Sequence, residues 1–241
     1  MKGIILPGSG ERPLSFYLAM EEYVAAAFGC GFFVWRVAPT VIIGRNQDLE
    51  SEVNLEFCKA RGINMVRRKS GGGCVYADKG NIMLSYITSR RSVESVFAEY
   101  LARLSDFLRG LGFDAVSTSN NDISVGGCKV SGNAFFVHPG ADIVHGTLLH
   151  SLDFGVMEQA ITPSREKLSR HGVRSVRQRV ANLQSLGLSL SPEELERMLM
   201  DYFCESFSRL GRKDIAAIKE LEKSYTNPAF LFGKAQDNPY I

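Results

Sequence analysis

A chain of 241 residues, 45% of them hydrophobic and 22% charged, has room for one large domain and the balance of a soluble globular protein. Its formal net charge of +2 makes no case for nucleic acid or an anionic membrane surface as partner, so any anion binding must be local. The five cysteines (Cys30, Cys58, Cys74, Cys128, Cys204) include no Cys-x-x-Cys, which argues against a zinc site or a disulfide framework and suits a reducing cytoplasm; the apolar start is too short for a signal peptide, and no segment reaches transmembrane length.

Residues 14–28 predict a helix with Leu14, Tyr17, Leu18, Glu21 and Ala25 on one side, ended by Gly29 and Gly31. Residues 32–37 and 40–43 predict two strands with Pro39 at the turn, and Gly44-Arg45-Asn46-Gln47 closes the second. A short helix over 53–61, stopped by Gly62, leads to a strand, a glycine loop and a return strand over 81–87. Residues 93–111 carry the clearest helical period, with Val93, Val96, Phe97, Tyr100, Leu101, Leu104, Leu108 and Leu111 as a core stripe. Ser92 is its N-cap, and Gly110 and Gly112 its terminators. Strands follow at 123–125 and 129–137 around Gly126-Gly127, then a strand over 142–150 and a short helix over 154–161 stopped by Pro163.

Six cations (Arg165, Lys167, Arg170, Arg174, Arg177, Arg179) between 165 and 182 read as a solvated face or as a flexible loop facing a substrate. A final pair of helices opens at Ser191-Pro192-Glu193-Glu194, with Ser as N-cap, Pro at the first helical position and Glu at the third. Leu195, Met198, Leu199, Tyr202, Phe203 and Phe207 form an apolar stripe that Gly211 ends, and residues 225–241 carry turn formers without a period. These elements predict an α/β (α+β) fold in one domain over 1–241, with 186–241 as its helical C-terminal part.

Two stretches carry chemistry. The first is Val66-Arg67-Arg68-Lys69-Ser70-Gly71-Gly72-Gly73-Cys74-Val75-Tyr76. Glycines admit a close ligand, successive free N–H groups cradle an anion, and arginine offers a fork matched to phosphate or carboxylate. Apolar residues on both sides make this a loop between strands, without the spacing of a nucleoside-triphosphatase loop. The competing reading is a flexible hairpin with a solvated basic shoulder. The second runs from Asn120-Asn121-Asp122 through Gly126-Gly127-Cys128-Lys129 to Gly132-Asn133-Ala134, with His145-Gly146-Thr147 downstream. Most lysines are surface groups and most single histidines are satisfied core groups.

In order, Arg-Arg-x-Ser-Gly-Gly-Gly-x-Val-Tyr (67–76), Asp-x-Gly-Asn (78–81), Asn-Asp-Ile (121–123), Lys-Val-Ser-Gly-Asn-Ala (129–134) and His-Gly-Thr-Leu-Leu (145–149) resemble the lipoate–protein ligase family. Supporting matches are Leu18-Ala19-x-Glu21-Glu22, the segment 40–47, and 175–183, so the resemblance covers roughly residues 14–185. It implies a mixed sheet flanked by helices, a fold shared with biotin ligases. It also implies a two-step reaction: lipoate attacks the α-phosphate of ATP to give lipoyl-AMP and pyrophosphate, and a carrier-domain lysine then takes the acyl group and releases AMP. The implied carriers are E2 subunits of 2-oxoacid dehydrogenases or the glycine cleavage H protein.

By that resemblance Lys129 is the catalytic cation bridging the lipoyl carbonyl and the α-phosphate. Arg68, Ser70, Gly71, Gly72, Gly73, Cys74, Val75, Tyr76, Asn121, Asp122, Gly132, His145 and Gly146 bind substrate or nucleotide, and Asp122 is the candidate Mg2+ ligand. Trp35, Val37 and Val75 are candidate linings of the acyl tunnel. Departures from the family are Ala77 where histidine is common, Val37 for asparagine, Cys74 for alanine, and a chain ending at Ile241 without the small accessory domain many members carry. A separate accessory protein, or a transferase of preformed lipoyl-AMP, would accommodate the last. An octanoyl or lipoyl transferase acting through an acyl-cysteine is a rival, but its two usual cysteine places read Thr162-Pro163-Ser164 and Asn120-Asn121-Asp122. Cys128 beside Lys129 leaves a thioester route open. A non-catalytic lipoate-binding protein and a biotin ligase, whose Gly-Arg-Gly-Arg signature is missing, complete the alternatives.

Overall fold

The structure is a computed structural model and describes residues 1–8, 10–118, 121–162 and 180–233. In chain order its elements are β1 Lys2–Ile5, α1 Leu14–Phe28, β2 Gly31–Trp35, β3 Thr40–Ile43, α2 Leu49–Glu52, α3 Leu55–Arg61, β4 Asn64–Arg67, β5 Val75–Ala77, β6 Asn81–Thr88 and α4 Val93–Gly110. Then come β7 Ala115–Ser117, β8 Asp122–Val125, β9 Cys128–His138, β10 Ala141–Leu149, α5 Phe154–Ala160, α6 Pro192–Phe203, β11 Ser206–Arg209, α7 Arg212–Tyr225 and α8 Pro228–Phe232. Eight strands form one mixed sheet in the order β11-β1-β2-β6-β10-β9-β8-β7, and three form a second in the order β4-β3-β5.

The two-residue period of the strands sorts side chains between two cores. On β6, Ile82, Leu84 and Tyr86 enter the core shared with α4 and α6, while Met83 and Ile87 enter the one shared with α1 and α7. All eight residues of β6 are buried, as a central strand covered on both faces requires. A third core lies between the small sheet, α3, α5 and the end of β10. Helix α1 is more deeply enclosed than a one-sided helix: the large sheet covers one side and α7 another, and eleven of its fifteen residues are buried. The predicted caps are present: Ser92 accepts from the Ser95 N–H at 3.2 Å, and Ser191 and Glu194 form a reciprocal capping box.

Four expectations fail. Strands β2 and β3 do not form a hairpin across Pro39; β2 pairs with β1 and β6, and β3 with β4 and β5. The helix begun at Ser191 stops at Phe203, and Phe207 lies half-exposed in β11. That strand pairs in parallel with β1, which the sequence presents only as a short apolar start. Pairing across so many residues overrides a local spacing that suits a helix equally well. The aperiodic tail contains α8, where Asn227 caps by accepting from the Ala229 N–H at 2.9 Å and Pro228 takes the first helical position. Val37 is core rather than tunnel, buried with the α1 cluster.

Candidate active site

Strands β4 and β5 lie on opposite sides of β3, so the glycine loop crosses the end of β3 and is not a hairpin tip. Main-chain bonds stitch it there: Arg68 N–H to Ile43 O at 2.9 Å, and Arg45 N–H to Ser70 O at 3.0 Å. A Cβ on Gly44 would stand 2.1 Å from Gly72 O, so the two backbones approach as only glycine allows. Gly72 itself has φ +95°, in the left-handed region.

None of the three cations before the glycines is a solvated shoulder. Arg67 is wholly buried. Its guanidinium donates to the carbonyls of Gly44 (3.0 Å), Gln47 (2.7 Å), Phe230 (3.0 Å) and Leu231 (2.8 Å), clamping α8 and the 44–47 turn to β4. Arg68 lines the cleft, but its donors are used by Gly71 O and Gly73 O at 2.8 Å each. It therefore shapes the loop from inside and is not the open phosphate fork expected of it. Burial lowers its pKa to about 10, which leaves it charged at neutral pH. Lys69 donates to both oxygens of Glu22 at 2.8 and 2.9 Å, and its ammonium lies 4.9 Å from the Tyr225 ring centre. The Tyr225 hydroxyl donates to the same glutamate at 2.6 Å, and burial raises its pKa well above the ordinary value.

Lys129 owes its direction to an irregularity. Gly126 and Gly127 (φ +57° and +78°) make a two-residue turn joining β8 to β9. The register then shifts between Ile123 and Ser124: Ser124 faces Lys129, but Ile123 faces Ser131. The extra residue on β9 is a bulge, and it reverses the alternation. Lys129 thereby shares the face of Gly132, three residues on, where a regular strand would set them on opposite faces. A Cβ on Gly132 would fall 2.5 Å from the Lys129 Nζ, and Asp122 Oδ1 holds that Nζ at 2.8 Å. Behind it, the Ala181 N–H bonds Lys129 O at 3.0 Å. Gly132→Ala should push the ammonium aside while leaving the fold intact, because only the far end of a flexible side chain must move. The expected result is an unchanged melting temperature with turnover lower on the order of a hundredfold; equal turnover would contradict this placement.

A cleft of about 500 Å³ opens between the two sheets. Its apolar lining belongs to two different cores. Leu14, Leu18, Trp35, Ile42, Val75 and Met83 come from or pack on the α1 core, and Tyr76, Leu149, Leu152, Met157, Ile161 and Val180 come from the small-sheet core. Glu52, Arg68, Gly72, Gly73, Cys74, Asp122, Lys129, Gly132, Asn133, Ala134, His145, Gly146 and Thr147 complete it. Most predicted site residues thus meet in one place. Ser70, Gly71 and Asn121 do not line the cleft; Ser70 bonds His145 from behind (2.6 Å), and the Asn121 carbonyl accepts from the Asn133 amide at 2.8 Å. Sequence reasoning missed Asn133 as a site residue. Its signal was Gly146 on the neighbouring strand, where a Cβ would lie 1.9 Å from Asn133 Oδ1. Most of the basic stretch, 163–179, lies outside the described residues; Asn182 at its end bonds both the N–H and the carbonyl of Leu152 at 3.0 Å.

The family model of the lipoyl protein ligase A/B catalytic domain matches residues 13–204. A Mycoplasma pneumoniae protein named "Probable lipoate-protein ligase A" is 32% identical over 249 residues, covering 98% of this chain and 73% of that protein. Lipoate–protein ligase 1 of Staphylococcus aureus is 37% identical over 189 residues, covering 76% of this chain and 57% of its own length. Among solved structures, a bi-partite lipoate protein ligase of Thermoplasma acidophilum, described with its E2 lipoyl domain, superposes with TM-score 0.85 at 26% identity, covering 99% of both chains. A lipoate-protein ligase A bound with ATP superposes with TM-score 0.82 at 28% identity, covering 97% of this chain and 100% of the other. With the glycine loop, the lysine strand and the cleft between them all inside the matched segment, the chain belongs to the lipoyl protein ligase A/B catalytic-domain family.

Proposed function

We propose that this chain is a lipoate–protein ligase that activates lipoate with ATP and passes the lipoyl group to a carrier-domain lysine. The observation that carries the reading is one ammonium, Lys129, held at 2.8 Å by Asp122 in a cleft whose apolar walls come from two cores. The lining around Trp35 and Met83 suits an acyl tail, and the lining around Tyr76 and Met157 suits a purine. In the first step a lipoate oxygen bonds to the α-phosphorus and pyrophosphate leaves. In the second the carrier amine bonds to the carbonyl carbon, loses a proton, and AMP leaves. Both steps build negative charge where the two substrates join, and a fixed cation there is worth most in a site shielded from water. Gly72, Gly73 and Gly132 keep side chains out of that junction.

Magnesium enters as the companion of ATP. Among the described residues no three His, Cys, Asp or Glu groups gather in a metal-holding cluster. Asp122 is one carboxylate beside the junction, which suits an ion that brings phosphate ligands with it. The proposal extends to one catalytic unit over residues 1–241, to E2 or H-protein lipoyl domains as acceptors, and to a cytoplasmic setting; no helix among the described residues is long and apolar enough to cross a membrane. A separate accessory protein is part of the proposal, and the bi-partite make-up of the similar Thermoplasma acidophilum ligase supports it. The transferase reading through Cys128 gains nothing from the geometry, because Cys128 does not line the cleft.

Pyrophosphate release with ATP, Mg2+ and lipoate, beside transfer of added lipoyl-AMP to an apo carrier domain, tests the proposal. Release with transfer establishes the ligase. Transfer alone indicates the transferase, or a ligase in need of its accessory protein. Binding of lipoate without either activity overturns the catalytic reading.

A further inference from the structure

Five buried or nearly buried polar groups form one line behind the cleft. The Trp35 Nε1–H donates to Ser85 Oγ at 2.9 Å, and Ser85 Oγ–H donates to Glu21 Oε1 at 2.6 Å. Glu21 Oε2 lies 2.9 Å from His145 Nδ1, and His145 Nε2 lies 2.6 Å from Ser70 Oγ. Glu21, Ser85 and Ser70 are each no more than 2% exposed. With indole at one end, Glu21 ionised and His145 carrying one ring hydrogen, the direction of every proton follows. Indole only donates, so the Ser85 hydrogen is free for Glu21. An ionised carboxylate only accepts, so His145 carries its hydrogen on Nδ1. Neutral Nε2 then accepts the Ser70 hydroxyl hydrogen. The spacing resembles that of a serine nucleophile, its histidine and a carboxylate, but Ser70 does not line the cleft, so the chain of bonds holds rather than attacks.

We infer that Glu21, on α1, is a positioning residue for the glycine loop: it fixes the tautomer of His145, whose Nε2 anchors Ser70 at the loop's first turn. The next residue of α1 acts on the loop's previous residue, because Glu22 bonds Lys69. One turn of α1 thus holds two successive residues at the entrance of Gly71-Gly72-Gly73. The glutamate pair that accompanied the family motifs in the sequence has a part here that the catalytic scheme does not use. The inference concerns the same cleft as the proposed ligase, but its test needs no substrate.

The test is nitrogen NMR of the His145 ring, with amide exchange of residues 70–73, in the substrate-free full chain. The unaltered protein should show the Nδ1–H tautomer. Glu21→Gln has one oxygen for two donors, Ser85 Oγ–H and His145 Nδ1–H. With that oxygen on Ser85 its amide donates to Nδ1, so the ring should shift to Nε2–H while the protection is kept. Glu21→Leu should leave the ring's Nδ1 side unheld and shift the ring to Nε2–H, which then donates to Ser70 Oγ. Exchange at 70–73 should speed by about tenfold, the loss of the one hydrogen bond that held the ring from behind. A folded Glu21→Leu with the Nδ1–H tautomer and unchanged exchange overturns the inference. Ser70→Ala covers the case of an unfolded leucine variant: it should loosen the same amides by a similar factor, and unchanged exchange there overturns the inference as well. Failure of both pyrophosphate release and acyl transfer in the unaltered chain would count against the ligase reading and leave these outcomes unaffected.

Discussion

Lys129→Ala is expected to remove pyrophosphate release and acyl transfer together, each by at least about a thousandfold, while the melting temperature stays within about 3 °C. The two halves of this result have separate causes. A single preorganised donor at a developing oxyanion is worth on the order of 10²–10³ in rate, and Lys129 is asked to serve at both junction atoms. Its part in stability is small, because the Lys129 side chain is 30% exposed and its pairing with Asp122 is partly screened. Lys129→Arg should not restore the rate. The ammonium occupies the space that a Gly132 side chain would need, and a planar guanidinium on a longer stem has no such slot. Coupled stopped-time assays of each half-reaction, with circular dichroism melts, check all three statements. Loss of only one half-reaction would mean that the two steps use different cations.

Arg67→Met is expected to cost stability before it costs chemistry. The substitution keeps an apolar stem of similar length but removes the donors serving Gly44, Gln47, Phe230 and Leu231. Each buried carbonyl left without a donor costs about 1–3 kcal/mol unless water reaches it. With half of them rehydrated, a loss of about 3 kcal/mol corresponds to a melting temperature lower by about 10 °C for a domain of this size. Burial already lowers the pKa of this arginine, so its charge is held against desolvation by these carbonyls and by attraction to Asp48. Amide exchange should quicken first in α8 and in residues 44–47. A melting temperature within 2 °C of the parent would show that the clamp is ornamental.

The stripe of α4 from Val96 to Leu108 and the box at Ser191 were legible because period and capping are local, and they hold in the structure. Val93, in the first turn, is exposed, and Leu111 is the C-cap and only partly buried. The glycine loop and Lys129 were legible as residues but not as geometry. The bulge that turns Lys129 onto the cleft depends on the register between β8 and β9, and no residue type announces it. Arg67, Arg68 and Lys69 read alike as basic residues. What separates them is which carbonyl or carboxylate each meets, and those partners lie on the 44–47 turn, on the loop itself, on α1 and on α8. Strand β11 stayed hidden because Phe207 continues a helical spacing, and only the free edge of β1 decides against it.

The Arg67 clamp has a consequence for how the protein is made. The acceptors at Phe230 and Leu231 follow Arg67 by 163 and 164 residues, so the guanidinium leaves the ribosome long before they exist. At about 5–20 residues per second that interval is roughly 8–30 seconds of translation. During it the nascent chain carries a charged side chain that no α8 carbonyl can yet receive, beside a glycine loop without its rear support. Pairing of β1 with β11 waits on the same late segment. The active cleft is therefore completed only after α8 has been made, and a nascent chain stalled before it presents the motif residues without the architecture that makes them a site.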